Sequence, residues 1–445
     1  MRPFTFIHSA DLHLDCQFKG LQQFELDREI KDRIRNATFT AFDNLINLCI
    51  ERHVDFLLIA GDAYNSADRN LGALLRFRDG MRRLAEAHIK VYVVHGNHDP
   101  HHSWSSNIDL PGNVHRFSDK TVKTEIFKKS GEPCAAIHGI SYSKRDVSEN
   151  LAKLFEPLTK NKFIISEARE LGFDSANVNL PDLFQIGLLH CSVGTVKEHE
   201  TYAPCSLKDD LIPSGIDYWA LGHVHKRNVL HKQNPCVVYP GNIQGLHINE
   251  TGARGCCMVS VNEQGKVNPE FIPVDDVRWY QEEIYTDGLD KFEDLEKAVE
   301  TLFEGCGSES GSCLSIVRLI LKGRGVLHES LKDPEDAKEL LERFQINGLQ
   351  SDPPVLMSSF DIQTRKQIDI ESRRKTADLL GDFLNIVEEI RNNPEMMTLL
   401  RGQLAEFYNH PRAKKILAGI DDETLLHLLD KAESHCLDLL IGEKD

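Results

Sequence analysis

Short apolar runs that each stop at a polar residue recur along the first half of the chain. They read Phe4-Thr-Phe-Ile-His-Ser-Ala-Asp11-Leu-His13, Val54-Asp-Phe-Leu-Leu-Ile-Ala-Gly-Asp62, Val91-Tyr-Val-Val-His-Gly-Asn97-His98-Asp99, Leu183-Phe-Gln-Ile-Gly-Leu-Leu-His190 and Tyr218-Trp-Ala-Leu-Gly-His223-Val-His225. Near-continuous apolar character over so few residues predicts strands buried on both faces. Between them, Asp32–Arg52 repeats apolar side chains at helical spacing (Ile34, Phe42, Leu45, Ile46, Leu48), and Asn70–His88 reads as a second amphipathic helix. Strand and helix alternate up to about residue 150, as in an α/β layered core. From Cys236 to Ile272, short strands separated by Tyr239-Pro-Gly-Asn242, Glu250-Thr-Gly252 and Asn262-Glu-Gln-Gly265 predict an antiparallel sheet that closes the same domain.

A boundary is expected near Pro273–Asp276. Beyond it the pattern predicts a strand over Trp279–Tyr285, a helix over Lys291–Phe303, a Gly/Ser turn over Gly305–Ser312 and a strand over Cys313–Lys322. This β-α-β pattern runs to about residue 370 and predicts a small α+β domain. The last stretch is helical, with Leu379, Leu380, Phe383, Leu384, Val387 and Ile390 as an apolar stripe and Asp421 as N-cap of a final helix. The divisions are therefore 1–275, 276–370 and 371–445. The stripe serves either a core of its own or a partner's surface.

The residues at the strand ends change the picture from fold to chemistry. An open α/β sheet binds its ligand just beyond the carboxyl ends of its strands. Asp11 and His13, two apart on an extended segment, share a face, and His223 and His225 repeat that spacing. Asp62 closes a buried run, where an ionised carboxylate is costly unless paired or metal-bound. Asn97 follows a glycine at another strand end, and Gly-Asn-His-Asp after an apolar strand is far more specific than a lone histidine. Imidazole and oxygen ligands together favour Mn²⁺, Fe²⁺ or Zn²⁺ over Mg²⁺ or Ca²⁺. Two such ions about 3.5–4 Å apart form a clamp for phosphoryl transfer. Asp62 is the expected bridge. His98 is placed to protonate a leaving oxygen, with Asp99 orienting its ring.

The net charge of −17 over 445 residues disfavours general affinity for nucleic acid, but it does not exclude a nucleic-acid enzyme, because bound divalent ions reverse the local potential. Lys144-Arg145, Lys226-Arg227 and Arg373-Arg374-Lys375 are local basic groups that read equally as solvated surface. The eleven cysteines, odd in number and without a Cys-x-x-Cys, read as free thiols, with Cys256 and Cys257 as core residues. No run approaches a membrane span and no leader precedes the first strand, so the expected location is the cytoplasm.

Taken in order, Asp11-x-His13, Gly61-Asp62, Gly96-Asn97-His98-Asp99, His190 and Gly222-His223-x-His225 resemble the motifs of the calcineurin-like metallophosphoesterases over residues 1–275. The resemblance implies a metallophosphoesterase β-sandwich flanked by helices, with a dinuclear centre. Asp11, His13 and His225 would hold one ion, Asn97, His190 and His223 the other, and Asp62 would bridge, with His98 as the catalytic histidine outside the ligand set. Ser9-Ala-Asp-Leu-His13, Tyr202-Ala-Pro, Asp217-Tyr-Trp-Ala-Leu-Gly-His-Val-His225 and Tyr239-Pro-Gly-Asn242 are similar to the SbcD-type DNA-repair nucleases. The run Gly241–Gly252 points within them to the YhaO-like branch. That likeness implies Mn²⁺-dependent action on DNA, a homodimer, an SbcC-like ABC ATPase as partner, a capping domain over 276–370 and a helical docking segment over 371–445. Where many SbcD-type enzymes carry a histidine linked to exonuclease action, this chain has Asn65. Residues 163–178 resemble no part of the family.

Other residues near the motifs divide between packing and substrate. His8 and His95 read as buried, hydrogen-bonded histidines, and His101 and His102 as solvent-exposed. His247, in the loop after Tyr239-Pro-Gly-Asn242, and Arg227, two residues past the last ligand, border the expected site as candidates for gripping substrate. Tyr64 and Trp104 either stack on a base or pack beneath the loops. Three activities fit: a DNA nuclease, a phosphoesterase for a phosphoprotein or small nucleotide, and a scaffold without catalysis. The ligands cannot separate the first two. The full set of expected ligands, with His98, argues against the third.

Overall fold

The computed structural model describes residues 1–14, 16–18, 21, 26–65, 70–101, 109–157, 183–194, 200–404 and 422–441. His102, Trp104, Asp421 and residues 163–178 lie outside the described residues. Internal contacts define two compact units: Met1–Glu282 with Leu302–Arg318 and Phe344–Ser359, and Glu283–Thr301 with Leu319–Arg343 and Phe360–Asp445.

The first unit opens with β1 (Phe4–Ser9), α1 (Arg28–Glu51), β2 (Phe56–Ala60), α2 (Leu71–Glu86), β3 (Lys90–Val94) and β4 (Val114–Arg116). It continues through β5 (Lys123–Lys129), β6 (Glu132–Gly139), β7 (Phe184–His190), β8 (Tyr218–Gly222), β9 (Asn228–His231), β10 (Cys236–Tyr239), β11 (Gly255–Val261) and β12 (Val267–Pro273). Two sheets of six strands result, ordered β12-β11-β1-β2-β3-β4 and β5-β6-β7-β8-β10-β9. β1, β2, β3 and β4 run parallel, as do β6, β7 and β8. Their carboxyl ends therefore carry the polar residues that close each apolar run.

Strand alternation sorts side chains between layers. Phe4, Phe6, Phe56, Leu58 and Tyr92 of the first sheet meet Phe127, Phe184, Ile186 and Tyr218 of the second in a core between the sheets. Phe6 stacks on Phe56 at 4.9 Å. Ile7, Leu57 and Ile59 point the other way, onto Phe42, Leu45 and Ile46 of α1 and Phe77 and Met81 of α2. Each phenylalanine buried in this way contributes about 1.5–3 kcal/mol, with about 0.5–1.5 kcal/mol more for a well-placed aromatic pair. His8 sits in the inter-sheet layer as a polar tie: Nδ1 lies 3.0 Å from the Tyr218 hydroxyl and Nε2 3.2 Å from the Leu221 carbonyl. Burial pushes its pKa down to about 3, as suits a neutral ring.

The antiparallel sheet expected over Cys236–Ile272 is divided between layers. β11 and β12 pair antiparallel and extend the first sheet beyond β1, whereas β10 lies parallel to β8 in the second. The reason is that the Tyr239-Pro-Gly-Asn242 turn does not return the chain as a hairpin but carries it across from one sheet to the other.

After β13 (Val277–Tyr285) come α3 (Phe292–Ser310), β14 (Leu314–Lys322), β15 (Arg324–Gly325), α4 (His328–Lys332), α5 (Pro334–Leu349), β16 (Val355–Ile362) and β17 (Arg365–Lys366). β13, β14 and β16 form a three-stranded sheet in that order. The expected Gly305–Ser312 turn is mostly helix, since α3 runs to Ser310. Buried Phe303 and Cys306 anchor it, and a Cβ at Gly307 would come within 3.2 Å of Pro353, so close packing overrides the low helix propensity of glycine.

The chain closes with α6 (Ile370–Arg374), α7 (Leu379–Asn392), α8 (Pro394–Gln403) and α9 (Asp422–Ile441). The apolar stripe of α7 is turned inward except at Leu379, which is exposed: Leu380 and Leu384 pack with Leu437, and Val387 and Ile390 with Leu429. Arg391 of α7 pairs with Asp430 at 2.8 Å and with Glu433. All eleven cysteines are free. No helix among the described residues is long and apolar enough to cross a membrane.

The tightest point of the sandwich is Gly222, where an added Cβ would lie 1.8 Å from the Ala60 carbonyl oxygen and 2.9 Å from His190 Nδ1. Gly222→Ala is expected to lower stability by about 2–3 kcal/mol, because backbone must move to admit a methyl group. A shift of the urea midpoint without a change in slope would show it.

Candidate metal centre

The ends of β1, β2 and β3 meet the ends of β7 and β8 around the ring of His190. Its Nδ1 donates to the Ala60 carbonyl at 2.8 Å, which leaves Nε2 as the nitrogen with a lone pair. That atom lies 3.0 Å from Asn97 Oδ1 and 3.3 Å from Asp62 Oδ2. On the other side, His13 Nε2 and His225 Nε2 face each other at 3.1 Å. His225 is held from behind, its Nδ1 2.5 Å from Glu250 Oε1. The Asp11 carboxylate accepts the His223 backbone N–H through both oxygens, each at 3.1 Å.

Four of these residues hold left-handed backbone, with φ of 52° at Asp11, 43° at His13, 54° at Asp62 and 103° at His223. A non-glycine residue in that region costs of order 1–3 kcal/mol. The strain is offset by bonds that lace the loops together: Asp11 N–H to Gly61 O and His13 N–H to Asp62 O, both at 3.1 Å. Asp99 adds a brace. Its buried carboxylate accepts the N–H of Asp62 at 3.2 Å, of Ala63 at 3.0 Å and of Gly96 at 2.8 Å. With both oxygens engaged by backbone, Asp99 serves as a clasp between the β2 and β3 loops rather than as the orienting partner of the His98 ring expected from sequence. His95, expected to be hydrogen-bonded, is buried 3.5 Å from Asp99, and among the described residues neither ring nitrogen has a hydrogen bond.

Two groups of donors have the spacing of a cation site among the described residues: Asp11, His13 and His225, and Asp11, Asp62 and His190. Neighbouring ligands around an ion bound at about 2.0–2.2 Å are themselves roughly 3–3.4 Å apart, as the His13–His225 nitrogens at 3.1 Å and the His190–Asp62 pair at 3.3 Å are. The donors fit divalent ions on chemistry as well. Both backed histidines turn a lone pair inward, the arrangement a carboxylate or carbonyl behind a ligating imidazole produces. Asp11 falls within both groups by this spacing, and Asp62, which the sequence reading gives as the bridge, stands in the second beside His190. Asn97 joins the second group through His190. His223 stands beside it, ring centroids 5.4 Å apart, with Nε2 2.8 Å from the Glu200 carbonyl.

Burial pushes the Asp11 carboxyl up to about 6 and, with the charge of His225, the His13 ring down to about 3. Burial alone would raise Asp62, but the charge of His190 and its hydrogen bond outweigh this and hold the carboxylate below its usual range. Burial would lower His190, yet Asp62 outweighs it and the ring is pushed up to about 9.

His98 is half-buried beside this cluster, its ring centroid 5.0 Å from that of His13, and its N–H donates to Asp62 Oδ1 at 2.8 Å. His247, half-exposed, has Nε2 3.6 Å from Glu250 Oε1, so it reaches the site through the carboxylate behind His225. Arg227 is exposed and lies over the Phe271 ring, 5.2 Å from its centroid. Tyr64 packs on Phe77 in the helix-side core, and Asn65 is half-buried. The functional residue missed by the sequence reading is Glu250, which also accepts Leu246 N–H at 2.7 Å and Asn242 Nδ2 at 3.1 Å. Burial alone would raise its pKa, but the hydrogen bond from His225 outweighs that and holds it below the usual range.

Two outcomes follow from this geometry. Glu250→Gln keeps the shape but removes the charge behind His225, so affinity for Mn²⁺ is expected to fall about 10- to 100-fold, measured by calorimetric titration. His190 is the basis of the second. Its folded pKa of about 9 stands above the ordinary 6.5, so its ion pair with Asp62 stabilises the ion-free fold fully below pH 6.5 and loses that contribution as pH rises through 9. A metal ion must displace the same proton, so Mn²⁺ affinity should rise with pH until about 9 and binding should release protons. Titrations in buffers of different ionisation heat read the proton count directly.

Comparison with known proteins identifies a family. The family described as Calcineurin-like phosphoesterase matches residues 4–227, and the middle domain of metallophosphoesterase YhaO matches residues 279–365. The chain is 36% identical over 350 residues to "Uncharacterized metallophosphoesterase YhaO" of Bacillus subtilis, spanning 76% of this chain and 79% of that one. It is 27% identical over 256 residues to the "DNA double-strand break repair protein Mre11" of Methanococcus maripaludis, spanning 55% of this chain and 58% of that one. Among solved structures, a dimetal phosphatase from Danio rerio aligns with a TM-score of 0.31 and 14% identity, over 60% of this chain and 98% of that one. The family match over residues 4–227 and the 36% identity to the YhaO protein show that the chain belongs to the calcineurin-like metallophosphoesterases, a family of metal-dependent hydrolases, and is YhaO-like within it.

Proposed function

We propose that this protein is a two-metal phosphodiesterase that cuts DNA, working with an SbcC-like ABC ATPase and most readily loaded with Mn²⁺. The observation that carries the reading is the meeting of two ligand groups at Asp11, one with His13 and His225 and one with Asp62 and His190. The Mre11 relatives, named for DNA double-strand break repair, favour DNA as the substrate over a phosphoprotein.

When bound, two divalent ions would supply an activated water and neutralise the phosphate oxygens. The chain's own residues do the rest. Asp11, His13 and His225 hold one position, and Asp62, Asn97 and His190 hold the other, with His223 beside them. The backbone bonds to Asp99 keep the β2 and β3 loops in register, so the ligands do not need to reorganise as charge develops. His98, adjacent to Asn97 and partly open to solvent, donates its proton to the leaving ester oxygen as the P–O bond breaks. Asn65 in place of a histidine favours internal cutting over processive removal of end nucleotides.

Cleavage of single- and double-stranded DNA with Mn²⁺ tests the reading. Wild type should cut in a metal-dependent manner, and the size of the fragments separates internal from terminal cutting. Asp62→Ala should abolish cleavage. His98→Ala should reduce kcat by about 100- to 10,000-fold while metal binding persists. Hydrolysis of p-nitrophenyl phosphate without any action on DNA would instead favour the phosphoprotein or small-nucleotide reading, toward which the net charge of −17 leans.

A further inference from the structure

A cavity of about 720 Å³ opens one residue beyond the metal ligand His13. It is bounded by Leu14 and Gln17 on the β1 side, by Arg35, Asn36 and Thr40 of α1, and by Arg76 of α2. The ligand loop forms its inner wall. Cys16 N–H bonds the His13 carbonyl at 3.0 Å, and Leu14 is held between Ala63 O, at 3.3 Å from its N–H, and the Thr38 hydroxyl, at 3.0 Å from its carbonyl. The wall is tied by these hydrogen bonds to the loop that carries His13.

The lining is unusual in sign. The whole chain carries a net charge of −17, yet among the described residues no Asp or Glu lines this cavity, and two arginines do. Arg76 is paired with Asp43, but Arg35 makes no ion pair among the described residues and stands exposed on α1. The remaining polar lining among the described residues is amide, hydroxyl and the Cys16 thiol, with the Asn36 amide and the Thr38 hydroxyl already donating to backbone carbonyls. A volume of this size is in the range of small-molecule sites, of about 300–1,000 Å³. A guanidinium without an ion pair among the described residues, set in a neutral lining, is suited to a phosphate, which it binds through a planar fork.

We infer that this cavity is a subsite for the phosphate backbone of the substrate strand beyond the bond being cut, with Arg35 as its charged contact. The inference rests on the nuclease reading above and adds what that reading lacks, a reason for a long strand to bind better than a short diester. Neutralising one backbone phosphate on a single strand releases about 0.7 of a counterion, so the contact has a signature in salt dependence.

The test compares wild type with Arg35→Lys, Arg35→Ala and Arg35→Glu on a single-stranded thymidine oligonucleotide and on bis(p-nitrophenyl) phosphate, which is too short to reach the cavity. For the oligonucleotide, kcat/KM should fall about tenfold in Arg35→Ala and further in Arg35→Glu, through KM rather than kcat, with Arg35→Lys retaining most of it. The slope of log kcat/KM against log salt should shrink by about 0.7. Hydrolysis of the small diester should be unchanged. Wild-type kinetics and salt slope on the oligonucleotide in Arg35→Glu would overturn the subsite, and so would an equal loss on both substrates. If wild type hydrolyses the small diester but no oligonucleotide, the nuclease reading itself fails and the subsite falls with it.

Discussion

The arrangement depends on a slot just wide enough for the ring of His190. Three glycines frame it. A Cβ at Gly61 would lie 2.4 Å from Nδ1, one at Gly96 2.8 Å from Nε2, and one at Gly222 2.9 Å from Nδ1. Those glycines end β2, β3 and β8, which belong to both sheets, so the sheets can approach only where side chains are absent. Because the ring is wedged between backbones, its one free direction is along the line from Ala60 O through the imidazole to Asp62 and Asn97. The ligand atom is aimed by exclusion, with little rotamer freedom left to lose.

Around that slot the backbone is bent out of ordinary strand geometry. Left-handed φ at Asp11, His13, Asp62 and His223 occurs at the point where strand pairing ends and the carboxylates and imidazoles begin. A strand continuing straight on would alternate its side chains across the sheet and scatter them. The left-handed residues break the alternation and let neighbours in sequence face a common centre, while Asp99 and the parallel N–H bonds hold the turned segments together. The cost falls on local conformation, and the long apolar core between the sheets, from Phe4 to Tyr218, supplies the stability against which it is set.

The strand ends were legible because a buried strand must be apolar, so a charged residue at its close stands out, and five such closures in one order leave few alternatives. Side chains whose meaning depends on three-dimensional register were not. Glu250 sits in a glycine-rich loop with no apolar run to mark it, and only its approach to His225 reveals what it does. Asp99 looked like a partner for its neighbour His98 because nearness in sequence was the one distance on view; the folded chain offers it three backbone N–H groups instead. The length of α3 was misjudged because glycine weakens a helix in isolation, whereas Phe303 and Cys306 hold it within a packed layer. Alternation of strand and helix was expected to about residue 150, but from Lys90 to Gly139 the described residues form four successive strands, with β5 antiparallel to β6; at the Tyr239–Asn242 turn a chain reversal and a crossover look alike in one dimension.

Each ligand group draws donors from both sheets: Asp11 and His13 with His225 in one, Asp11 and Asp62 with His190 in the other. A cation in either position would thus be a rivet through the sandwich, not only a reagent. By linkage, an ion present at a hundredfold excess over its dissociation constant adds about 2.7 kcal/mol to the folded state. Here that increment would fall on the docking of one sheet against the other. The protein's thermodynamic integrity would then depend on the supply of divalent metal, so that scarcity would loosen the scaffold as well as silence the chemistry.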